Sequence, residues 1–253
     1  MIELVGVKKS FGSHVVLDGV DLAVAQGETL ALLGPSGTGK SVLLKHIIGL
    51  LKPDAGAVVV DGLLVASLSR SELQELRRKV GYAFQMGALF DSMNVYENIR
   101  IGITDDAEYR DRAYCDARVA ECLRVVNLQP DVAAKMPAEL SGGMRKRVGI
   151  ARAIASKPDY ILYDEPTSGL DPVNADAMDA LIEQLQEELH VTSVVVSHDV
   201  RGAFKVADRI ALLTSGRIRK LGTAESFKTS DDPVVRQFLD RDFELLGTAG
   251  AGH

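Results

Sequence analysis

A chain of 253 residues with 46% hydrophobic side chains can build one large α/β domain or two small ones around a sizeable core. Its net charge of −6 argues against a nucleic-acid partner, because phosphate-backbone binding needs a basic surface. No apolar run reaches the ~18 residues of a membrane span, and the N-terminus lacks the apolar stretch of a secretory signal, so a soluble cytoplasmic protein is expected.

Residues 1–33 show short β-type alternation broken by glycine turns, ending in the buried strand of "GETLALLG". The loop "GPSGTGKS" follows at 34–41, and "SVLLKHIIGLL" reads as a helix. "GAVVVDGLLV" returns to strand, "SELQELRRKV" is a capped helix, and "VGYAFQ" is a strand. From about 87 to 157 the pattern is mostly helical, including "DRAYCDARVAECLRVVNL". Its Cys115 and Cys122 lie two turns apart, about 10 Å, which suits reduced thiols better than a disulfide.

A buried strand "YILYD", a helix "NADAMDALIEQLQEEL", a strand "TSVVVS" and a hairpin "RIALLTSGRIRKLG" complete the alternation. Near the end, Asp232 and Pro233 form a cap and first turn. Val234, Val235, Phe238, Leu239, Phe243 and Leu246 then make an apolar helical stripe before the flexible tail "GTAGAGH". Strands alternating with helices predict an α/β fold with a mainly parallel sheet covered on both faces. The expected organisation is a domain over 1–230, with a helical subdomain inserted at about 87–157, and a short C-terminal extension over 231–253.

Three constellations carry chemistry. The loop fits G-x-x-x-x-G-K-[S/T] with Gly34, Gly39, Lys40 and Ser41. Four specified positions arise by accident in roughly one chain in a hundred of this length. Pro35, Ser36, Gly37 and Thr38 fill a loop whose backbone N–H groups can turn inward around a phosphate. Lys40 would neutralise β- and γ-oxygens of a nucleotide, and Ser41 would offer its hydroxyl to Mg²⁺. Next, Asp164 and Glu165 end an apolar run, where parallel sheets bind ligands. Asp164 would join the magnesium shell, and Glu165 would orient or deprotonate the attacking water. Last, "LSGGMRKRVGIARAIA" opens a helix with Ser141, a good N-cap, followed by Gly142 and Gly143. Two glycines cost helix stability, so they mark a second anion site approached closely by backbone amides.

The loop, "LSGGM", "YDEP" with "SGLD", and "SHD" stand in the order of the ATP-binding subunits of ABC transporters, which nearly the whole chain resembles. The resemblance implies a P-loop NTPase core with an N-terminal antiparallel β subdomain, binding ATP with Mg²⁺ and hydrolysing it. It implies that Phe11 stacks on adenine, where tyrosine is usual, that Gln85 reaches magnesium and water, and that His198 contacts the γ-phosphate. It also implies a head-to-tail homodimer, in which Ser141, Gly142, Gly143 and Asp171 serve the partner's nucleotide. Met144 departs from the glutamine usual at the fifth signature position.

The stretches "MGALFDSMNVYENI", "MPAELSGGM" and "DDPVVRQFLD" resemble the Mla (MCE-associated) phospholipid-transport branch. That branch implies integral membrane permease subunits, a small STAS-type regulatory subunit, a periplasmic MCE lipid-binding subunit, and a place on the cytoplasmic face of the inner membrane. Met86, Leu89, Phe90, Met93 and Val95 are either the helical subdomain's own core or a groove for a permease helix. An importer ATPase for an amino acid or other small solute, and a soluble assembly ATPase, are the alternatives. A GTPase switch would carry N-K-x-D, which this chain lacks. The basic runs at 77–79 and 145–147 read as solvated faces, with contact to a partner or lipid headgroups as the alternative.

Overall fold

The computed structural model describes residues 1–247, with side chains through residue 240. The tail beyond and the stripe side chains Phe243 and Leu246 lie outside the described residues. By internal contacts the chain divides into two units, Met1–Ala66 with Val196 onward, and Ser67–Val195.

In the first unit, β1 (Ile2–Phe11) pairs antiparallel with β2 (His14–Val24) and with β4 (Ala55–Val60). Ile2 and Leu4 are buried in strand alternation; the register then shifts around Gly6, at φ 56°, and Val7 becomes the next buried residue. Asp61 and Gly62, both at positive φ, turn the chain tightly from β4 into β5 (Leu63–Leu64).

Strand β3 (Thr29–Leu33) is buried along its whole length, as expected of a parallel strand covered on both faces. It pairs parallel with β9 (Arg209–Thr214), from Leu30↔Arg209 to Leu33↔Leu212. β9 turns through Ser215 and Gly216 into antiparallel β10 (Arg217–Gly222), the hairpin read from the sequence. β3 leads through the glycine loop into α1 (Lys40–Ile47).

Ala31, Leu33, Ile210 and Leu212 form a core with Val200 and Ala203 of α8 (Val200–Val206) and Phe227 of α9 (Ala224–Lys228). Val235 and Leu239 of α10 (Pro233–Gly247) complete this core, and Phe238 packs against it. Val235 and Leu239 of the stripe are thus buried in their own unit, where burying each such side chain contributes about 1.5–3 kcal/mol. Val234 points outward. The cap is as read: Asp232 accepts from the amide of Val234 at 2.9 Å.

In the second unit, α2 (Arg70–Arg78) starts one residue before the predicted Ser71. The reason is a capping box: Ser69 accepts from the Glu72 amide while Glu72 accepts from the Ser69 amide. β6 (Val80–Ala83) runs parallel with β7 (Tyr160–Asp164), from Val80↔Tyr160 to Ala83↔Tyr163. The strand predicted through Gln85 ends at Ala83, so Phe84 and Gln85 belong to the following turn.

Four helices come next: α3 (Val95–Arg100), α4 (Asp106–Arg110), α5 (Arg112–Val125) and α6 (Gly142–Ile154). Buried Arg118 of α5 donates through Nε to the Ala155 carbonyl at 3.1 Å and through Nη2 to that of Ile154 at 2.5 Å, satisfying the C-terminal end of α6. Cys115 and Cys122 are buried, unpaired thiols, and burial pushes the Cys122 thiol up to about 11. After β7 come α7 (Pro172–Leu189) and β8 (Thr192–Ser197), a strand within which the division between the units falls.

Candidate nucleotide-binding and hydrolysis site

In the first unit the glycine loop is pressed by its own neighbours. A Cβ on Gly34 would stand 2.3 Å from the Leu213 carbonyl oxygen, and one on Gly39, at φ +97°, 2.7 Å from Val16 Cγ1. Thr38 closes the turn, its hydroxyl donating to the Pro35 carbonyl at 2.8 Å. Lys40 is only 5% exposed, and its ammonium folds back across the loop onto the carbonyls of Gly34 (2.6 Å) and Pro35 (3.1 Å).

α1 opens on Gly39, which has no side chain to cap the first-turn amides. A cradle too tight for a Cβ, a helix start without a side-chain cap and a buried ammonium make a donor set that fits a polyphosphate. Half-buried Ser41, in the first turn, adds a hydroxyl oxygen of the kind a hard Mg²⁺ accepts.

Phe11 ends β1 with 48% of its surface exposed and Lys9 Nζ 5.6 Å from its ring centroid, so it is no core residue. His198 is exposed between β8 and α8. The turn around it is fixed locally: Ser197 Oγ accepts from the Asp199 amide at 2.9 Å. Asp199 in turn accepts from the amides of Arg201 (2.9 Å) and Gly202 (3.1 Å).

In the second unit, fully buried β7 delivers Asp164 at its end. The Tyr82 hydroxyl donates to Asp164 Oδ2 at 2.9 Å. Burial and the adjacent Asp164 charge hold this phenol well above the usual tyrosine range, so it stays a donor. Glu165 is buried and left-handed, at φ 52°, a conformation that costs a non-glycine residue energy and clusters at functional sites. Gln85 Nε2 donates to Ser168 Oγ at 3.4 Å. Asp171 caps α7, accepting from the Asn174 amide at 3.1 Å and from Asn174 Nδ2 at 2.5 Å; these bonds pull its carboxyl below the usual range.

Ser141 caps α6 as read from the sequence, accepting from the Met144 amide at 3.2 Å. Neither glycine behind it is demanded by the chain's own packing. A Cβ on Gly142 would find its nearest neighbour at 4.0 Å, and one on Gly143 at 3.6 Å, both ordinary contacts.

Farther along α6, a Cβ on Gly149 would meet Gly87 at 2.9 Å, and Arg152 donates to the carbonyls of Ala88 (2.8 Å) and Gly87 (2.9 Å). The turn after Gln85 therefore lies directly on this helix. Beside it opens a groove of about 440 Å³, lined among others by Tyr82, Phe84, Ala88, Phe90, Ile101 and Arg152. Met86 and Phe90 face outward, whereas Val95 belongs to the core.

The basic run at 145–147 is not a solvated face. Arg145 donates to the Leu140 carbonyl (2.6 Å), Arg147 to that of Val126 (3.2 Å), and buried Lys146 to those of Glu165, Pro166 and Ser168. The periodicity of α6 hides the bonds of Lys146 and Arg147, because their acceptors are distant in sequence. The run at 77–79 behaves as read, with Arg78 paired to Glu75 at 3.0 Å on the surface. Tyr82, bonded to Asp164, and Lys146, bonded to the carbonyls of Glu165, Pro166 and Ser168, are contacts of the candidate residues that the sequence did not reveal.

The sequence profile of the family described as ABC transporter matches residues 17–168. The probable ribonucleotide transport ATP-binding protein mkl of Mycobacterium leprae is 44% identical over 239 residues, covering 94% of this chain and 68% of that protein. The intermembrane phospholipid transport system ATP-binding protein MlaF of Escherichia coli is 38% identical over 240 residues, covering 95% of this chain and 88% of that protein. Among solved structures, the ATP-binding cassette MJ0796, in a dimeric post-hydrolysis state bound to ADP and Pi, superposes with a TM-score of 0.80. It is 34% identical and covers 88% of this chain and 99% of that one. The present chain thus spans about two thirds of the mycobacterial relative and most of the Escherichia coli one. With its α/β P-loop fold, it belongs to the ABC transporter family, as an ATP-binding cassette ATPase.

Proposed function

We propose that this chain powers phospholipid transport between membranes, as a homodimer of ATPase subunits bound to permease subunits on the cytoplasmic face of the inner membrane. In this reading Gly34 to Ser41 cradle the triphosphate of ATP, with Lys40 neutralising β- and γ-oxygens, and Phe11 stacks on adenine. Ser41, Asp164 and Gln85 offer oxygen ligands to Mg²⁺, which when bound neutralises charge on the transferring phosphoryl group. Glu165 orients or deprotonates the attacking water, and His198 contacts the γ-phosphate. From the other subunit come Ser141, Gly142, Gly143 and Asp171.

The observation that carries the dimer is the ordinary spacing around Gly142 and Gly143, where a Cβ would crowd nothing. Glycines that weaken a helix start and relieve no crowding in their own chain serve something outside it. The energetics suit a switch. Moving an equilibrium from 1:99 to 99:1 takes about 5.5 kcal/mol, and each hydrogen bond to a charged phosphate contributes roughly 1.5–3 kcal/mol. Two signatures with two or three such bonds apiece reach that figure, and hydrolysis removes much of it.

Phospholipid cargo is supported by the Escherichia coli relative, which this chain matches over most of both lengths. The groove beside Phe84 and Phe90 suits an apolar permease helix. A STAS-type regulatory subunit and a periplasmic MCE lipid-binding subunit complete the proposed assembly. The name of the Mycobacterium leprae relative favours a second reading, in which the same cassette drives ribonucleotide transport. One experiment separates them: purify the tagged chain from detergent-solubilised membranes, then identify attached subunits and cargo. Phospholipid and an MCE subunit beside the permease are expected. A nucleotide-binding permease without lipid supports the second reading, and no membrane subunit at all contradicts both.

A further inference from the structure

An ammonium has three protons to donate, and Lys146 places all three on a single bend of the chain. Its Nζ donates to the carbonyls of Glu165 at 3.1 Å, Pro166 at 2.9 Å and Ser168 at 2.6 Å. The residue is 7% exposed. Carbonyl dipoles therefore hold a buried cation here, an arrangement whose desolvation cost hydrocarbon filling the same space would avoid. Burial pulls the ammonium below the usual lysine range, and the nearby Glu165 charge opposes that pull.

The bend that Lys146 grips begins at Glu165, the buried residue in the left-handed region at φ 52°. Such a conformation persists where the surroundings over-determine it. Lys146 binds the carbonyl of that residue and two of the next three. The grip comes from the second turn of α6, directly behind Ser141, Gly142 and Gly143. The same helix start meets the segment a second time. The space at Gly143 is bounded by Asn174, which is hydrogen-bonded to Asp171.

We propose that Lys146 is a positioning residue for hydrolysis: it locks the backbone of Glu165, and through α6 it ties that lock to the seating of Ser141–Gly143. This rests on the reading of Glu165 as the group that handles the attacking water. Lys146 touches neither nucleotide nor water; it acts through Glu165. A subunit whose signature helix is displaced would also hold its own Glu165 loosely, so the two catalytic events of a dimer would be linked within each chain by one side chain.

The test uses the full chain with Lys146→Met, which keeps the length and removes the donors, and Lys146→Gln, which keeps amide donors without the charge. Steady-state ATPase kinetics and amide hydrogen exchange of the nucleotide-free protein are both read. Lys146→Met is expected to lower kcat at least tenfold with KM for ATP within twofold, and to speed exchange at 167–170 while β7 and the rest of α6 keep their protection. Lys146→Gln is expected to fall between it and the parent.

Wild-type kcat in Lys146→Met overturns the proposal. So does a loss of kcat matched by a rising KM and by exchange spreading through residues 67–195, which is the signature of a merely structural lysine. If Lys146→Met fails to fold, Lys146→Gln and Lys146→Arg decide by the same readouts. Glu165→Gln run in parallel separates the two ideas. If it abolishes turnover while Lys146→Met does not, only the positioning role falls; if it turns over normally, the assignment of Glu165 itself falls.

Discussion

Replacing Tyr82 by Phe removes one oxygen and leaves the ring where it packs, 4.3 Å from that of Phe84 between centroids. The lost bond is the 2.9 Å donation to Asp164 Oδ2. A hydrogen bond to a charged group contributes about 1.5–3 kcal/mol. At 2–4 °C per kcal/mol for a chain of this size, the melting temperature should fall by roughly 3–12 °C. If half of the lost energy is expressed in how firmly the carboxylate is held for its metal, the Mg²⁺ concentration for half-maximal activity should rise about three- to twelvefold.

The pH dependence has a definite sign. The folded-state phenol lies above its ordinary range, so its contribution is complete below pH ~10 and declines as pH rises beyond that. The parent and Tyr82→Phe curves should therefore run parallel through neutrality and converge only at strongly alkaline pH. The assays are thermal unfolding and a Mg²⁺ titration of ATPase activity at saturating ATP. A melting temperature within 1 °C of the parent, together with an unchanged Mg²⁺ curve, would refute the reasoning.

Lys40→Ala should weaken ATP binding by about ten- to 150-fold, the equivalent of a charged hydrogen bond, in a calorimetric titration; an unchanged Kd contradicts the phosphate cradle. Leu239→Ala opens a cavity beside Phe227 and Val235 and should cost about 2–4 kcal/mol in urea unfolding. No change there would remove the C-terminal helix from the core. Phe90→Glu, at a side chain 52% exposed on the groove, should leave ATP hydrolysis by the isolated chain within twofold and abolish co-purification with the permease. Retained co-purification would place the membrane partner elsewhere.

Local chemistry made much of this structure readable. "TSVVVS" is a strand at its predicted limits, because six small and β-branched residues between a helix and a turn leave few alternatives. The glycine loop and the helix after it follow from composition alone, and Ser141 caps α6 because serine before a helix has one good use. What the sequence hid is what joins distant residues. Nothing in "VGYAFQ" says that its tyrosine reaches Asp164, and nothing in "MRKRV" says that the middle cation leaves the solvent for the carbonyls of 165–168. The same cause explains the C-terminal stripe: its spacing foretold an apolar face, but only the packed chain shows Val235 and Leu239 against Phe227. The start of α2 was misplaced for a smaller reason, since Ser69 and Ser71 both resemble caps and only Ser69 stands three residues before Glu72.

ATP-driven pairing of two copies is tested most directly with Glu165→Gln in a light-scattering measurement with saturating ATP and Mg²⁺. The variant should run as a dimer that releases no phosphate and return to monomer when nucleotide is removed. A Glu165→Gln chain that binds ATP yet stays monomeric, even with its permease present, contradicts the shared-site mechanism.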